Sequence, residues 1–212
     1  MNPIEDDEAH VPDGSESAVE AWVRYGDEIG WVRSRTQYSA IDSAGNPVPW
    51  YTYPAISFLA RCIKPHFTVF EFGTGNSTLW WASRVKSVIS VEHDKKWAEA
   101  MKPQIPSNVV YSWFPHKNSD AYSRSIQATG QLFDVIVVDG KDRYNCTVNS
   151  LQSLAPSGVF VWDNAEVPHY QPLFDDLSRK GFRRLPFVGN GPIAARTWET
   201  SIFYRTDNCL GV

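Results

Sequence analysis

Long apolar runs are missing from this 212-residue chain: no stretch approaches the ~18 residues of a membrane-spanning helix. Cysteine is scarce. Cys62, Cys146 and Cys209 lie far apart and make an odd count, which fits neither a disulfide framework nor a CxxC zinc site. They read as small buried hydrophobes in a reducing compartment. The histidines, at positions 10, 66, 93, 116 and 169, show no HxH or HxxxH spacing and so offer no zinc pattern. His116 and His169 remain candidates to line a cleft. Clustered positive charge is confined to SRKGFRR at 178–184, and 20 Lys and Arg face 24 acidic residues, a net charge of −4. Nucleic-acid backbones demand clustered cations, so a nucleic-acid partner is not expected, nor is a membrane. The opening MNPIEDDEAH is acidic and has neither the basic nor the apolar region of a signal peptide. The expected location is the cytoplasm. Internal repeats and low-complexity tracts are absent.

What is present belongs to a folded globule. Hydrophobic residues make up 42% and aromatics 14%, with nine Trp. A chain of this length buries roughly 70% of the surface its unfolded form exposes, enough for one domain with a real core. Residues 1–18 are polar, acidic and expected to fray. From Val19 to Tyr53 the chain is rich in Gly, Trp and Tyr without clear periodicity, ending in AGNPVPWYTYP. Residues 1–53 therefore read as an irregular N-terminal extension or lid, and 54–212 as the domain. Pro54 suits the first turn of a helix with Ile56, Leu59, Ala60 and Ile63 as its apolar stripe.

Beyond that point strands and helices alternate. Strand-like runs fall at 68–72, 87–91, 108–113, 133–138 and 158–162. Asp94 can cap a helix carrying Trp97 and Met101. Val148, Leu151 and Ala155 follow helical spacing, as do Tyr170, Leu173, Phe174 and Leu177 before Gly181. Continuous apolar strands separated by amphipathic helices imply a mostly parallel sheet covered on both faces. The last two strands, 182–187 and 200–205, leave no room for a helix between them and should pair antiparallel. The expected fold is a three-layer, Rossmann-like α/β domain with a mostly parallel seven-stranded sheet and an antiparallel last strand.

One stretch carries most of the chemistry: VFEFGTGNSTLWWA at 69–82. A dinucleotide fingerprint would read GxGxxG, but the series here is Gly73, Gly75 and then Thr78. Glu71, two residues before the first glycine, is expected to face the crevice, where a carboxylate would repel a pyrophosphate and attract a cation. Glu92 closes the next strand, 21 positions on, where a ribose-binding acid would sit for either a dinucleotide or an S-adenosyl ligand. S-adenosylmethionine carries a sulfonium and an amino group, and its carboxylate could use the helix start near Asn76 and Ser77. For Ser77 and Thr78 capping and ligand contact stay equally open; Trp80 and Trp81 read as core.

The motifs EFGTGNST, SVEHD, FDVIVVDG and APSGVFVWDN, in that order, resemble the class I S-adenosylmethionine-dependent methyltransferases over roughly residues 54–205. The resemblance implies that Glu71, Gly73, Gly75, Ser77 and Glu92 hold S-adenosylmethionine.

Asp139 and Asp163-Asn164 each follow a strand at the carboxyl edge, where open α/β sheets bind ligands. If those strands are neighbours, two carboxylates and an amide oxygen converge, a hard-oxygen set suited to Mg²⁺ or another divalent cation. Capping and turn roles are the alternative. The pattern is similar to O-methyltransferases of the catechol and caffeoyl-coenzyme A type, and DGKDRY at 139–144 resembles their DxxKDRY. That likeness implies a metal held by Asp139, Asp163 and Asn164, and catalysis by Lys141 as general base with Asp139. This chain is one residue shorter between Asp139 and Lys141. A small-molecule or glycan acceptor is expected, with Trp50, Tyr51, Tyr53, Arg196 and Trp198 available near the sheet edge. The rival readings are an NAD-type oxidoreductase, opposed by the missing third glycine, and a non-catalytic ligand-binding relative. The oligomeric state stays open, a homodimer among the alternatives.

Overall fold

The computed structural model describes residues 16–115 and 119–212. His10 and His116 lie outside them, as do residues 1–15 of the segment expected to fray. Residues 16 and 17 are structured: the Ser17 hydroxyl and Glu20 form a reciprocal cap on α1 (Ala18–Glu28), and Glu16 pairs with Arg24. A second helix, α2 (Trp31–Gln37), follows at once. The stretch read as irregular is thus helical over much of its length. Its pattern conceals this because α1 places only Gly26 in a buried position and leaves Val19, Trp22, Val23 and Tyr25 exposed. Val19, Trp22 and Val23 do recur at helical spacing, but the stripe they make is left exposed.

From α3 (Tyr53–Cys62), with Pro54 in its first turn, the alternation holds. The order is β1 (Thr68–Phe72), α4 (Asn76–Ala82), β2 (Ser87–Glu92), α5 (Lys95–Met101), β3 (Val109–Trp113), α6 (Ser119–Ser123), β4 (Phe133–Val138), α7 (Arg143–Ser150), β5 (Leu154–Asp163), α8 (Gln171–Arg179), β6 (Arg183–Gly189) and β7 (Trp198–Tyr204). The seven strands form one sheet in the order β3-β2-β1-β4-β5-β7-β6, parallel except for β7, which runs antiparallel to both neighbours. The expected fold is the observed one. No helix among the described residues is long and apolar enough to cross a membrane.

Side chains alternate across the sheet, and the two faces carry separate cores. Val69, Trp80, Trp81, Val135, Val137 and Val161 pack on one face with α3 and α4; Phe70, Phe72, Ile136, Phe160, Trp162 and Phe174 pack on the other with α8. The spacing Val148, Leu151, Ala155 misleads. Helix α7 stops at Ser150, Val148 is exposed, and Ala155 already belongs to β5. Trp97 is also half exposed although Met101 on the same helix is buried.

Candidate active site

The glycine loop connects β1 to α4 at the carboxyl edge of the sheet. Gly73 has φ +99°, and a Cβ there would lie 3.0 Å from the Asp139 carbonyl oxygen, so the strand tips of β1 and β4 approach closely only with glycine between them. Gly75 lies at the rim, where a Cβ would make ordinary contact with Trp97. The Trp97 indole donates to the Thr74 carbonyl and closes that side of the loop. Above it Asn76 Nδ2 donates to Ala40 O at 2.7 Å and to Ser39 Oγ at 3.2 Å, clipping the N-terminal segment over the loop.

Together these elements enclose a cavity of about 550 Å³ lined by Gly73, Gly75, Ser77, Glu92, Asp139 and Lys141, with Tyr38, Trp50, Asn76, His93 and Trp97 completing its walls. Glu92 is held rigidly. One oxygen accepts from Thr74 N at 3.0 Å, the other from His93 N at 2.7 Å and Asp94 N at 2.8 Å. Three backbone donors thereby fix a nearly buried carboxylate at the tip of β2, on the wall of the cavity. Of the histidines, His93 lines it, and His169 lines neither this cavity nor the one described next.

Glu71 behaves differently from its expectation. It shares the strand parity of Val69, so its side chain enters the layer beneath α4 instead of the crevice, and it is fully buried. Its carboxylate accepts from the hydroxyls of Ser77 and Thr78 and from Ser90 Oγ at 3.0 Å. Burial pushes its pKa up to about 7 despite these donors. Glu71 therefore buttresses the loop from below. The acidic wall of the cavity is made by Glu92 and Asp139.

A second cavity, of about 320 Å³, adjoins the first and shares Trp50, Asp139 and Arg143 with it; Asp163, Asn164, Ala194, Arg196 and Trp198 line the rest. Strands β4 and β5 are neighbours, so Asp139, Asp163 and Asn164 do come together. They do not fit a divalent cation, because a cation of the chain is already among them. Arg143 Nη2 donates to Asp139 Oδ1 at 3.0 Å, and Nη1 donates to Asn164 Oδ1 at 3.0 Å and to the Asp163 carbonyl. Asp163 Oδ1 accepts instead from Thr200 Oγ1 at 2.6 Å and Trp198 Nε1 at 3.0 Å. Among the described residues no group of three or more His, Cys, Asp or Glu could hold a metal ion. The metal expectation is corrected on this geometry. The shortened DGKDRY stretch explains it in part: a short non-helical link joins Asp139, just after β4, to Arg143, the first residue of α7, and keeps the two side chains within reach.

Burial and the neighbouring Asp163 push the Asp139 carboxyl well above the ordinary range, with Arg143 opposing. Burial likewise raises Asp163, against the hydrogen bond from Thr200. Lys141 is exposed and lines only the larger cavity. Asn76 was anticipated only as part of the helix start; Tyr38, His93, Trp97 and Arg143 were not anticipated as site residues. For Arg143 a signal existed, its position beside the acidic residue in DGKDRY; the others come together only through the fold.

Strand order, an antiparallel β7, and a glycine loop and acid at adjoining strand tips define the class: a Rossmann-like α/β fold of the methyltransferase type. No protein-family model and no curated protein matches the chain. Solved structures do. The chain is similar to the O-methyltransferase TomG from Streptomyces achromogenes, solved in complex with SAM, at 13% identity and a TM-score of 0.62, with 90% of this chain and 100% of that chain covered. It is also similar to a methyltransferase-class protein of Streptococcus mutans, SMU.1697c, solved with SAH, at 11% identity, TM-score 0.52 and coverage of 70% and 94%. The precorrin 8w decarboxylase of Methanobacterium thermoautotrophicum matches at 16% identity, TM-score 0.52 and coverage of 71% and 87%. At such identities the likeness is one of fold.

Proposed function

We propose that this chain is an S-adenosylmethionine-dependent methyltransferase that methylates a hydroxyl of a small molecule or glycan without a divalent metal. The observation that carries the reading is the Glu92 carboxylate, fixed by three backbone N–H groups on the wall of a cavity built around Gly73 and Gly75. A carboxylate already fixed on the cavity wall is suited to receive a ligand hydroxyl, because it needs no reordering on binding. Glu92 would supply the negative charge that favours a sulfonium, and Gly75 leaves room for backbone contact. S-adenosylmethionine would supply an electrophilic methyl group when bound.

The residues facing the acceptor are those shared by the two cavities. Asp139 lines both, its side chain 22% exposed, and Oδ1 is held by Arg143. Its other oxygen is left to receive an acceptor hydroxyl. Holding oxygen and donor in line can contribute on the order of 7–11 kcal/mol of barrier reduction. Lys141, on the larger cavity alone, is better placed to contact the donor than the acceptor.

Calorimetric titration with S-adenosylmethionine, S-adenosylhomocysteine and NAD tests the reading. Heat with the first two and none with NAD is expected. Heat with NAD alone would favour the oxidoreductase, and adenosyl-ligand binding with no transfer to any hydroxylated acceptor would favour the non-catalytic relative.

A further inference from the structure

Five of the eight residues that line the second cavity carry charged or amide side chains, more than the few polar groups that usually orient a ligand. Here the floor is Asp139, Arg143, Asp163 and Asn164, the rim is Arg196, and the apolar contribution comes from Ala194 and two indoles, Trp50 and Trp198. What this lining still offers to a ligand can be read from its hydrogen bonds. All five guanidinium N–H donors of Arg143 are spent: Nε on Gly140 O at 3.0 Å, Nη1 on Asp163 O and Asn164 Oδ1, Nη2 on Asp139 O and Oδ1. Arg143 holds the floor together and has no donor left for a ligand anion. Asp139 Oδ2, Asn164 Nδ2 and the Arg196 guanidinium have no hydrogen-bond partner among the described residues; Arg196 has only a loose ion pair with Glu166 at 3.7 Å. One acceptor and two donors thus point into the same space from different sides.

Three consequences narrow the occupant. The donors of Arg143 are spent and Arg196 is already ion-paired with Glu166, so no free cation awaits an anionic group and a neutral ligand is favoured. A flat phenol presents its hydroxyls along one edge and would leave Asn164 or Arg196 unmatched, which costs binding. An indole face suits the apolar side of a sugar ring as well as an aromatic one, and half-exposed Trp50 offers one; Trp198 is buried, with Arg196 over its ring and its Nε1 on Asp163.

We propose that the second cavity is the acceptor subsite for a neutral, polyhydroxylated, sugar-like compound, with Asp139 Oδ2 receiving the hydroxyl to be methylated and Arg143 standing where a metal-dependent enzyme would place its cation. Arg143 acts through Asp139 and Asn164 and is a positioning residue. The proposal rests on the methyltransferase reading, and the two can fail separately.

The test is tryptophan fluorescence titration of the full chain with a panel of methyl glycosides and myo-inositol, and with catechol and 4-hydroxybenzoate, each with and without saturating S-adenosylhomocysteine. Saturable quenching by at least one glycoside or inositol is expected, and weaker or no response to the phenols. Ala194→Trp, which fills the second cavity alone, should abolish that response while leaving the S-adenosylhomocysteine heat unchanged. Arg143→Lys, which keeps the charge but not the five-fold bonding, should weaken glycoside binding about tenfold and Arg143→Ala further; because Arg143 also lines the larger cavity, Ala194→Trp carries the comparison with adenosyl-ligand binding. Binding of phenols but of no polyol, no binding by any of the panel, or glycoside binding untouched by Ala194→Trp would overturn the assignment. Failure of S-adenosylhomocysteine to bind the unaltered chain would count against the methyltransferase reading, while the ligand-free glycoside titration still decides the subsite.

Discussion

The guanidinium of Arg143, the first residue of α7, donates to the carboxylate of Asp139, just past the tip of β4, at 3.0 Å. This contact, with those to Asn164 and the Asp163 carbonyl, puts a fixed protein cation among oxygens that would otherwise suit a divalent ion. Unmodified protein is therefore expected to give no calorimetric response to MnCl₂ and to keep full methyl-transfer activity in excess chelator. Arg143→Ala leaves a carboxylate, an amide oxygen and carbonyls without donors and should lower stability by about 2–3 kcal/mol. Denaturant titration measures that loss. A chelator-sensitive wild type would contradict this account.

Glu71 gives the fold a pH dependence. Its pKa rises from 4.5 in the unfolded chain to about 7 in the folded protein because it is fully buried. The folded state therefore binds the proton more tightly, so this contribution to stability is complete below pH 4.5 and is lost as pH rises through 7. The span is worth about 3 kcal/mol. Glu71→Gln should flatten the profile, with unfolding midpoints measured at pH 5, 6, 7 and 8 separating progressively from wild type between pH 5 and 7 and by a constant amount above 7. Parallel profiles would show that Glu71 does not titrate in this range.

Glu92 is the residue on which donor binding should depend most. Glu92→Ala removes the cavity-facing carboxylate and frees three backbone N–H groups, Thr74, His93 and Asp94. Loss of charge-assisted hydrogen bonds worth about 1.5–3 kcal/mol predicts a 10- to 100-fold weaker S-adenosylhomocysteine affinity by calorimetry. An affinity unchanged within twofold would remove Glu92 from the site.

Gly73→Ala combines a positive φ with a Cβ 3.0 Å from the Asp139 carbonyl. A cost of about 1–3 kcal/mol is expected, read as a fall in melting temperature together with weakened adenosyl-ligand binding. The same substitution at Gly75, whose backbone is extended, should leave stability nearly unchanged.

Asn76→Ala cuts the clip between the glycine loop and residues 39–40. One such hydrogen bond is worth about 1 kcal/mol, so S-adenosylhomocysteine affinity should fall a fewfold while the melting temperature barely moves. A large stability loss with intact affinity would instead make the clip purely structural.

The alternation of apolar strands with helices was legible along the chain because burial on both faces of a parallel sheet leaves continuous hydrophobic runs, as in FDVIVV, and because caps such as Asp94 act locally. The antiparallel end followed from the shortness of the link between β6 and β7. Helices α1 and α2 were missed; for α1 a signal existed in the Ser17…Glu20 cap and the spacing of Val19, Trp22 and Val23, although those side chains stay exposed. Gly73, Gly75, Ser77, Glu92, Asp139 and Lys141 do gather at one cavity, as their places at strand tips implied.

What the sequence by itself determined is the order of elements and the edge of the sheet at which polar residues collect, both consequences of local periodicity and chain length. Tertiary structure alone decided what those residues face. Strand parity turns Glu71 under α4 and away from the crevice, and the neighbouring of β4 and β5 lets Arg143 reach oxygens contributed by both. Contacts between elements distant in sequence set the direction of each side chain, and direction decides whether a carboxylate meets a ligand, a hydroxyl or a guanidinium.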